Sequence, residues 1–110
     1  MSKKILVIIS TAEKEKALTG VLYAANAMKN EWIDDLKVCF FGPFEKLVTE
    51  DKEVQEHVAK LSEYGVPVAC KFIADRDGVS DELANLGYEV DHVGEMVSDY
   101  IGEGYVPMVF

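Results

Sequence analysis

The sequence predicts an α/β fold in three layers, with a five-stranded, mostly parallel sheet between two layers of helices. Short apolar segments rich in β-branched residues alternate along the chain with longer amphipathic segments. The first apolar segment, residues 4–10, is a continuous run, which is typical of a strand covered on both faces. A chain of 110 residues, 49% of them hydrophobic, is long enough for one domain over residues 1–110 and too short for two.

Strands and helices alternate in the predicted order. The predicted strands cover residues 4–10, 36–41, 66–72, 88–93 and 105–110. The predicted helices cover residues 12–30, 44–49, 52–64, 81–86 and 94–101. Such an alternation indicates parallel strands joined by right-handed crossovers. A small doubly wound sheet usually has the flavodoxin-like order 2-1-3-4-5, and we expect that order here.

The helix boundaries follow from turn residues. Gly20 weakens the first helix but lets it sit close to the sheet. Pro43 suits the first turn of the second helix, and Gly65 is placed to cap the third. Ser80 is typical of the residue that caps the start of the fourth helix, and Gly94 opens the last one.

Prolines and polar residues indicate the position or exposure of three of the predicted strands. Pro67 is the second residue of the third strand, where a missing N–H is tolerated. The polar residues 75–78 predict a loop after that strand. Polar alternation over residues 88–93 predicts a half-exposed fourth strand. Pro107 indicates that the fifth strand lies at an edge of the sheet.

The charge of the chain argues against two classes of partner. The net charge is −9, and the 11 basic residues, of which only Arg76 is an arginine, are scattered. Binding to nucleic acid or to an anionic membrane needs clustered basic residues, so neither is expected. No apolar run reaches the roughly 20 residues of a membrane span, and the start of the chain lacks a signal-peptide pattern. We therefore expect a cytoplasmic protein whose acidity favours solubility or a basic partner.

The cysteines and histidines predict neither a disulfide framework nor a metal site. Cys39 and Cys70 are 31 positions apart, and His57 and His92 are also distant from each other. Cys39 lies within the second strand between apolar neighbours, where a free cysteine behaves as a small hydrophobic residue. No glycine-rich phosphate motif occurs, so no nucleotide cofactor is expected.

Candidate binding residues follow the first two strands. In an open α/β sheet, ligands bind at the carboxyl ends of the strands. Ser10 and Thr11 end the first strand and offer hydroxyl groups, although this turn has neither the glycines of a phosphate loop nor the acidic pair of a receiver domain. Gly42 and Pro43 form the next turn, which is either a plain strand-to-helix connection or one wall of a pocket with Phe44 as an apolar lid.

Cys70 is the candidate reactive residue, because it ends the third strand and should lie nearer to solvent than Cys39. The thiolate is the reactive species and needs a partly exposed, electropositive environment, which either Lys71 or the N-terminus of the helix near Ser80 would supply. His92 ends the fourth strand and could assist the thiol, and Gly94 follows it at the same rim. A structural role for Cys70 and a solvated turn position for His92 stay open.

Several segments together resemble the DsrE/DsrF-like proteins, the sulfur-relay family that includes the Tus sulfur carriers. They are the first strand KKILVII, the second strand VCFFG, the helix ending in Gly65-Val66, the strand ending in Cys70, and the closing HVGEMV and EGY. The resemblance covers nearly the whole chain, and it is greatest to the small, single-domain, uncharacterised members. It implies that Cys70 accepts sulfur as a persulfide and passes it to a partner.

Two functions of different classes remain. The first is a sulfur carrier that uses the Cys70 thiolate, with His92 as a proton shuttle and with sulfur donor and acceptor proteins as partners. The second is a non-catalytic module that binds a small ligand or a protein at the same rim. The family resemblance implies a homo-oligomer, from dimer to hexamer, for either function. A carrier thiol must be reachable and ionisable, and this property separates the two.

Overall fold

The computed structural model describes residues 2–110, and Met1 lies outside the described residues. The strands are β1 (Lys4–Ile9), β2 (Asp35–Phe40), β3 (Val68–Cys70), β4 (Glu89–Asp91) and β5 (Val106–Val109). The helices are α1 (Lys14–Lys29), α2 (Phe44–Glu50), α3 (Lys52–Leu61), α4 (Lys71–Asp77), α5 (Ser80–Asn85) and α6 (Val93–Gly102), with a 3-10 turn at Ser62–Tyr64. Every described strand pair is parallel, and the predicted three-layer α/β class is confirmed.

The predicted 2-1-3-4-5 strand order is wrong. The strands lie in the order β4-β3-β2-β1-β5, so the chain steps in one direction from β1 to β4 and then crosses the whole sheet to β5. Both orders satisfy the rule of right-handed crossovers, so the rule alone does not choose between them. In both orders β2 pairs with β1. The observed order differs because β3 pairs with β2, through Cys39–Val68 and Phe40–Ala69, and not with β1.

The direction of the crossovers divides the helices between the two faces of the sheet. Because right-handed steps in one direction place their helices on one side, α1 to α5 cover one face, which we call the helix-rich face. The return from β4 to β5 places α6 alone on the other, which we call the α6 face. Five helices therefore cover the helix-rich face, and one helix covers the α6 face.

The helix-rich face contains the main core. Its sheet residues pack against apolar residues from all five helices, and the ring centroids of Phe40 and Phe44 lie 4.7 Å apart. Gly20 of α1 approaches the sheet as expected: a Cβ there would lie 2.7 Å from the Cγ atom of Phe110, which continues β5. The close approach of α1 to the sheet thus depends on the glycine at position 20, which has no side chain.

The α6 face has a smaller core. Its buried members are Cys39, Cys70, Ile73 and Val93, and partly buried side chains from β1, β3 and α6 pack around them. Apolar side chains stay exposed beside this cluster, including Ile101 at 48% and Val109 at 64%. One ten-residue helix does not cover the apolar surface that this side of the sheet presents.

The region after β3 differs from the prediction. The third strand has only three residues, and the helix α4 begins at Lys71 and includes most of the expected loop 75–78. Charged residues suit an exposed helix as well as a loop, so polarity did not distinguish the two. Gly78 ends α4 with a φ of 72°, which favours glycine. Ser80 does not cap α5; its hydroxyl instead donates to Asp75 Oδ1 at 2.6 Å.

The two outer strands agree with the prediction. β5 lies at one edge of the sheet, as Pro107 indicates, and pairs with β1 alone. β4 lies at the other edge, and the side chains of Glu89 and Asp91 are exposed, which confirms the half-exposed fourth strand.

Candidate functional site

The carboxyl ends of β3 and β4 form the switch point of this sheet. β3 leads into α4 on the helix-rich face, whereas β4 leads into α6 on the opposite face. The connections thus leave neighbouring strands in opposite directions, and α/β proteins generally bind ligands at such a point. Cys70 pairs with Asp91 in the register of the two strands, and His92 lies one residue beyond. The fold therefore brings two predicted site residues, Cys70 and His92, to the switch point.

Cys70 is more buried than the sequence predicts. Cys70 is 6% exposed and Cys39 is 0% exposed, so Cys70 lies nearer to solvent than Cys39, as predicted, but only slightly. The short β3 strand and the immediate start of α4 keep it within the cluster under α6, beside Cys39, Ile73 and Val93. Only an edge of this residue is open to an incoming reagent.

Cys39 is the structural cysteine of the pair, which agrees with the prediction. It is fully buried, and this burial raises the pKa of its thiol to about 12, with further contributions from the neighbouring Cys70 and Glu45. At neutral pH Cys39 therefore stays protonated. Thiolate chemistry at this site can only come from Cys70.

A buried glutamate lies at the same end of the sheet. Glu45, in the first turn of α2, is 0% exposed. Its Oε2 accepts the backbone N–H of Gly42 at 3.3 Å, whereas Oε1 is buried without a hydrogen-bond partner in the described structure. A buried polar atom without a partner usually costs about 1–3 kcal/mol, so such an atom suggests a functional use.

The Glu45 carboxyl titrates near neutral pH. Its burial raises the pKa to about 7, against the opposing effect of the Gly42 N–H, and the Asp77 carboxylate raises the pKa further. The backbone N–H of Cys70 also lowers the pKa of Glu45, so the carboxyl lies against the main chain at the end of β3. Glu45 thus links the turn after β2 to the main chain at Cys70.

The predicted residues after β1 serve the fold in this structure. The backbone N–H groups of Ser10 and Thr11 donate to the Phe110 carbonyl at 2.7 and 3.2 Å. The Thr11 hydroxyl accepts the N–H of Glu13 at 3.0 Å. Gly42 has a φ of 108°, and a Cβ on it would lie 2.8 Å from Ser10 Oγ. Ser10 and Thr11 follow β1, which lies two strands away from β3, or about 10 Å at the usual strand spacing, whereas Gly42 follows β2, the neighbour of β3.

Phe44 is a core residue, and its predicted role as a pocket lid is wrong. It is 0% exposed, and its backbone N–H donates to the Ser10 carbonyl at 3.0 Å. Pro43 stands at the N-terminal boundary of α2 and is exposed, as the prediction of a helix-initiating proline requires. A shallow depression is lined by Pro43 and Arg76, and it lies outside the buried Glu45 carboxyl.

The remaining predicted residues lie on the surface near the switch point. Lys71 is exposed at the start of α4, and its Nζ lies 3.2 Å from Asp75 Oδ2, so its charge is already paired. His92 is exposed at the start of α6, with its backbone N–H on Asp91 Oδ1 at 2.7 Å. Gly94 is the second residue of that helix. Their binding and catalytic roles stay predictions.

Two further findings bear on the site. Among residues 2–110, no three histidine, cysteine, aspartate or glutamate side chains come close enough together to hold a metal ion. In the same part of the chain, every helix is too short or too polar to cross a membrane.

Glu45 is the candidate site residue that sequence reasoning missed. It opens a short amphipathic helix, where an acidic residue usually faces solvent and interacts with the helix dipole. The only local signal is the tight Gly42-Pro43 turn just before it, which folds the start of α2 back over the end of the sheet. Nothing in the sequence indicates that α4 closes over the same carboxyl.

The chain is similar in fold to two solved structures. One is a conserved protein of unknown function, BT1422 from Bacteroides thetaiotaomicron, with a TM-score of 0.87, 24% identity, and coverage of 97% of this chain and 95% of that chain. The other is a protein of unknown function, MTH1491 from Methanobacterium thermoautotrophicum, with a TM-score of 0.76, 18% identity, and coverage of 99% of this chain and 100% of that chain. At these identities the likeness shows the fold alone. No family model and no curated protein matches the chain.

Proposed function

We propose that the protein carries sulfur as a persulfide on Cys70. The observation that supports this function is the buried carboxyl of Glu45, whose Oε1 has no hydrogen-bond partner in the described structure, beside the main chain of Cys70. A carboxyl whose pKa is about 7 can take up or release a proton at neutral pH, which is what a thiol needs when it reacts. The resemblance to sulfur-relay proteins points to the same residue.

The transfer step needs a sulfane-sulfur donor of the persulfide class, R–S–SH. Glu45 accepts the thiol proton of Cys70, and the resulting thiolate attacks the outer sulfur of the donor. A new S–S bond forms on Cys70, the S–S bond of the donor breaks, and the donor leaves as the thiolate R–S⁻. In the reverse sense, an acceptor thiolate attacks the outer sulfur and releases the Cys70 thiolate. No net oxidation or reduction occurs.

A second candidate function is a non-catalytic, homo-oligomeric binding module. Two observations favour it: the small exposed fraction of Cys70, and the exposed apolar side chains of Ile101 and Val109 on the α6 face. Apolar surface of this kind is typical of faces that another molecule covers. In this function Cys70 is a packing residue, and its replacement by serine leaves binding unchanged. For both candidates we propose a cytoplasmic location, where free thiols stay reduced.

Intact-protein mass spectrometry separates the two candidates. The folded protein is treated with a low-molecular-mass persulfide, and the added mass of one sulfur atom is sought and then removed with a reductant. The carrier function predicts the adduct on wild type and on Cys39→Ser but not on Cys70→Ser. No adduct on the folded wild type, or labelling of both cysteines only after unfolding, contradicts the carrier and favours the binding module.

The rate of sulfur loading tests the role of Glu45 separately. We expect Glu45→Gln to load sulfur at least about tenfold more slowly at pH 7, because the amide cannot accept the thiol proton. The deficit should shrink as the pH rises above neutral, because hydroxide can then remove the thiol proton in place of the carboxylate. Equal rates for wild type and Glu45→Gln across this pH range would exclude Glu45 from the transfer.

A further inference from the structure

The charge of the protein is concentrated in its last third. Residues 1–76 contain all 11 basic residues and 12 acidic ones, so this part is almost neutral. Residues 77–110 contain eight acidic residues and no lysine or arginine, and therefore hold nearly all of the net charge of −9. In the fold this segment forms α5, β4, α6 and β5. The acidic residues therefore lie along the β4 edge of the sheet and on the α6 face.

Four of these carboxylates form a line along α6, which we call the acidic stripe. It consists of Asp91, Glu95, Asp99 and Glu103, spaced at intervals of four residues. Residues four apart share one side of a helix, so the three from Glu95 to Glu103 span about 12 Å at 1.5 Å per residue. All four are exposed, and none belongs to an ion pair shorter than 4.0 Å in the described chain.

A groove of mixed polarity adjoins the acidic stripe. It is a cavity of about 210 Å³ between α6 and the amino ends of β2 to β4. Its apolar and aromatic lining includes Tyr64, Val66, Met96 and Tyr100, and the charged residues Asp35, Lys37 and Glu89 also line it. Val66 is 51% exposed, so this lining is open to solvent. A second depression, lined by all four stripe residues, shares Met96 and Tyr100 with the groove. The apolar lining and the carboxylates thus form one continuous surface.

The positive charges near this surface are already engaged. Lys37 Nζ, at one end of the groove, lies 3.9 Å from Asp35 Oδ2 and 5.6 Å from the ring centre of Tyr100. Lys4 Nζ donates to the Glu103 carbonyl at 2.7 Å and leaves the carboxylate of that residue uncompensated. The field over the acidic stripe is therefore negative and attracts cations.

We propose that the groove and the acidic stripe dock a cationic, amphipathic segment of a partner protein, with apolar side chains in the groove and lysine or arginine side chains along the stripe. Charge complementarity carries this choice of occupant. If two copies of this chain docked through this surface, their acidic stripes would face each other. The repulsion between like charges disfavours such self-association. The inference goes beyond the proposed function, because it does not require Cys70 to react.

Fluorescence anisotropy with a synthetic peptide tests the proposal. The probe is a labelled helical peptide with lysines on one face and leucines on the other. One control peptide replaces its lysines by glutamate, and a second replaces its leucines by serine. At about 0.15 M salt we expect the lysine–leucine peptide to bind at least tenfold more tightly than either control. Equal binding of the lysine–serine peptide would overturn the docking site, since the protein would then act only as a polyanion.

Two matched double variants locate the binding. Glu95→Gln/Asp99→Asn removes two charges from the acidic stripe, and Asp81→Asn/Glu82→Gln removes two from the first turn of α5. We expect the first pair to weaken binding about tenfold or more and the second by less than about threefold. Equal weakening would show a general charge effect and overturn the proposal.

The groove and the thiol are tested separately. Val66→Ser, at an exposed position just before β3, should weaken peptide binding about threefold or more because it removes apolar contact. Unchanged binding by this variant would overturn the role of the groove. Cys70→Ser should bind the peptide like wild type. The docking site therefore stands or fails independently of persulfide formation.

Discussion

The two faces of the sheet show how one chain can combine a closed core with an open surface. The helix-rich face buries Val7, Ile9 and Phe40 under five helices. The α6 face has a single helix and leaves Ile101 and Val109 largely exposed. Stability should therefore depend mainly on the first face, whereas both candidate functions use the second face or the switch point at its end. A sheet that is covered unequally can thus keep its stability on one side and leave the other side free to bind.

The largest expected contrast concerns apolar truncations on the two faces. Phe40→Ala, in the middle of the helix-rich core, should lower the free energy of unfolding by about 3–5 kcal/mol. Val97→Ala, at a half-buried position of α6, should lower it by about 1 kcal/mol. Urea denaturation measures both values. Similar losses would show that the α6 face contributes as much to stability as the helix-rich face.

A second expected contrast is between wild type and Glu45→Gln in the pH dependence of folding stability. Glu45 lies at the end of the sheet, where the two faces meet. Its pKa is raised from 4.5 to about 7 in the folded protein, so the folded state binds more protons than the unfolded state between these values. The stabilising contribution is complete below pH 4.5 and is lost as the pH rises through about 7. Relative to wild type, Glu45→Gln should gain about 2–3 kcal/mol between pH 4.5 and pH 8.

Denaturant unfolding at several pH values measures this difference. Glu50→Gln is the matched control, because it makes the same chemical change at an exposed position of the same helix. If wild type and Glu45→Gln show parallel pH profiles, the Glu45 carboxyl does not titrate in the way described.

The smallest expected contrast uses one substitution on each face. Gly20→Ala should destabilise the protein by about 1–3 kcal/mol, because the new Cβ would lie 2.7 Å from Phe110 Cγ. Gly94→Ala, where a Cβ meets no atom within 4 Å, should stabilise α6 by about 0.5–1 kcal/mol through its better helix propensity. Thermal unfolding of both variants checks the signs. Stabilisation by Gly20→Ala would mean that α1 can move away from Phe110 at little cost.

Local patterns predicted much of the fold correctly. The continuous apolar run of β1 indicated a strand covered on both faces, and Pro107 indicated the edge position of β5. Both are properties of single segments, so the sequence displays them directly. The strand order depends on which segments become neighbours, and β1, β2 and β3 are similar enough in composition to allow either order. The helix α4 was missed because its charged residues fit an exposed helix and a loop equally well.

The candidate site was only partly predictable. Cys70 and His92 could be placed at one rim because each ends a predicted strand. The sequence could not predict that Cys70 and Glu45 are buried or that Phe44 is a core residue. These properties depend on helices from distant parts of the chain that close over the end of the sheet. The acidic stripe is visible as a period of four in the sequence. Its groove appears only when β2, β3 and β4 are side by side.

The position of Pro107 limits how the sheet could grow. Phe110 exchanges backbone hydrogen bonds with β1, so by alternation Pro107 and Val109 face outward, and only Val109 offers an N–H. At the opposite edge, Glu89 donates inward to the Pro67 carbonyl, which leaves Val90 as the single outward donor of β4. An added strand would find one donor at either edge, too few for a stable ladder. This scarcity of donors disfavours edge-to-edge aggregation, and we expect any assembly to form through the faces of the sheet.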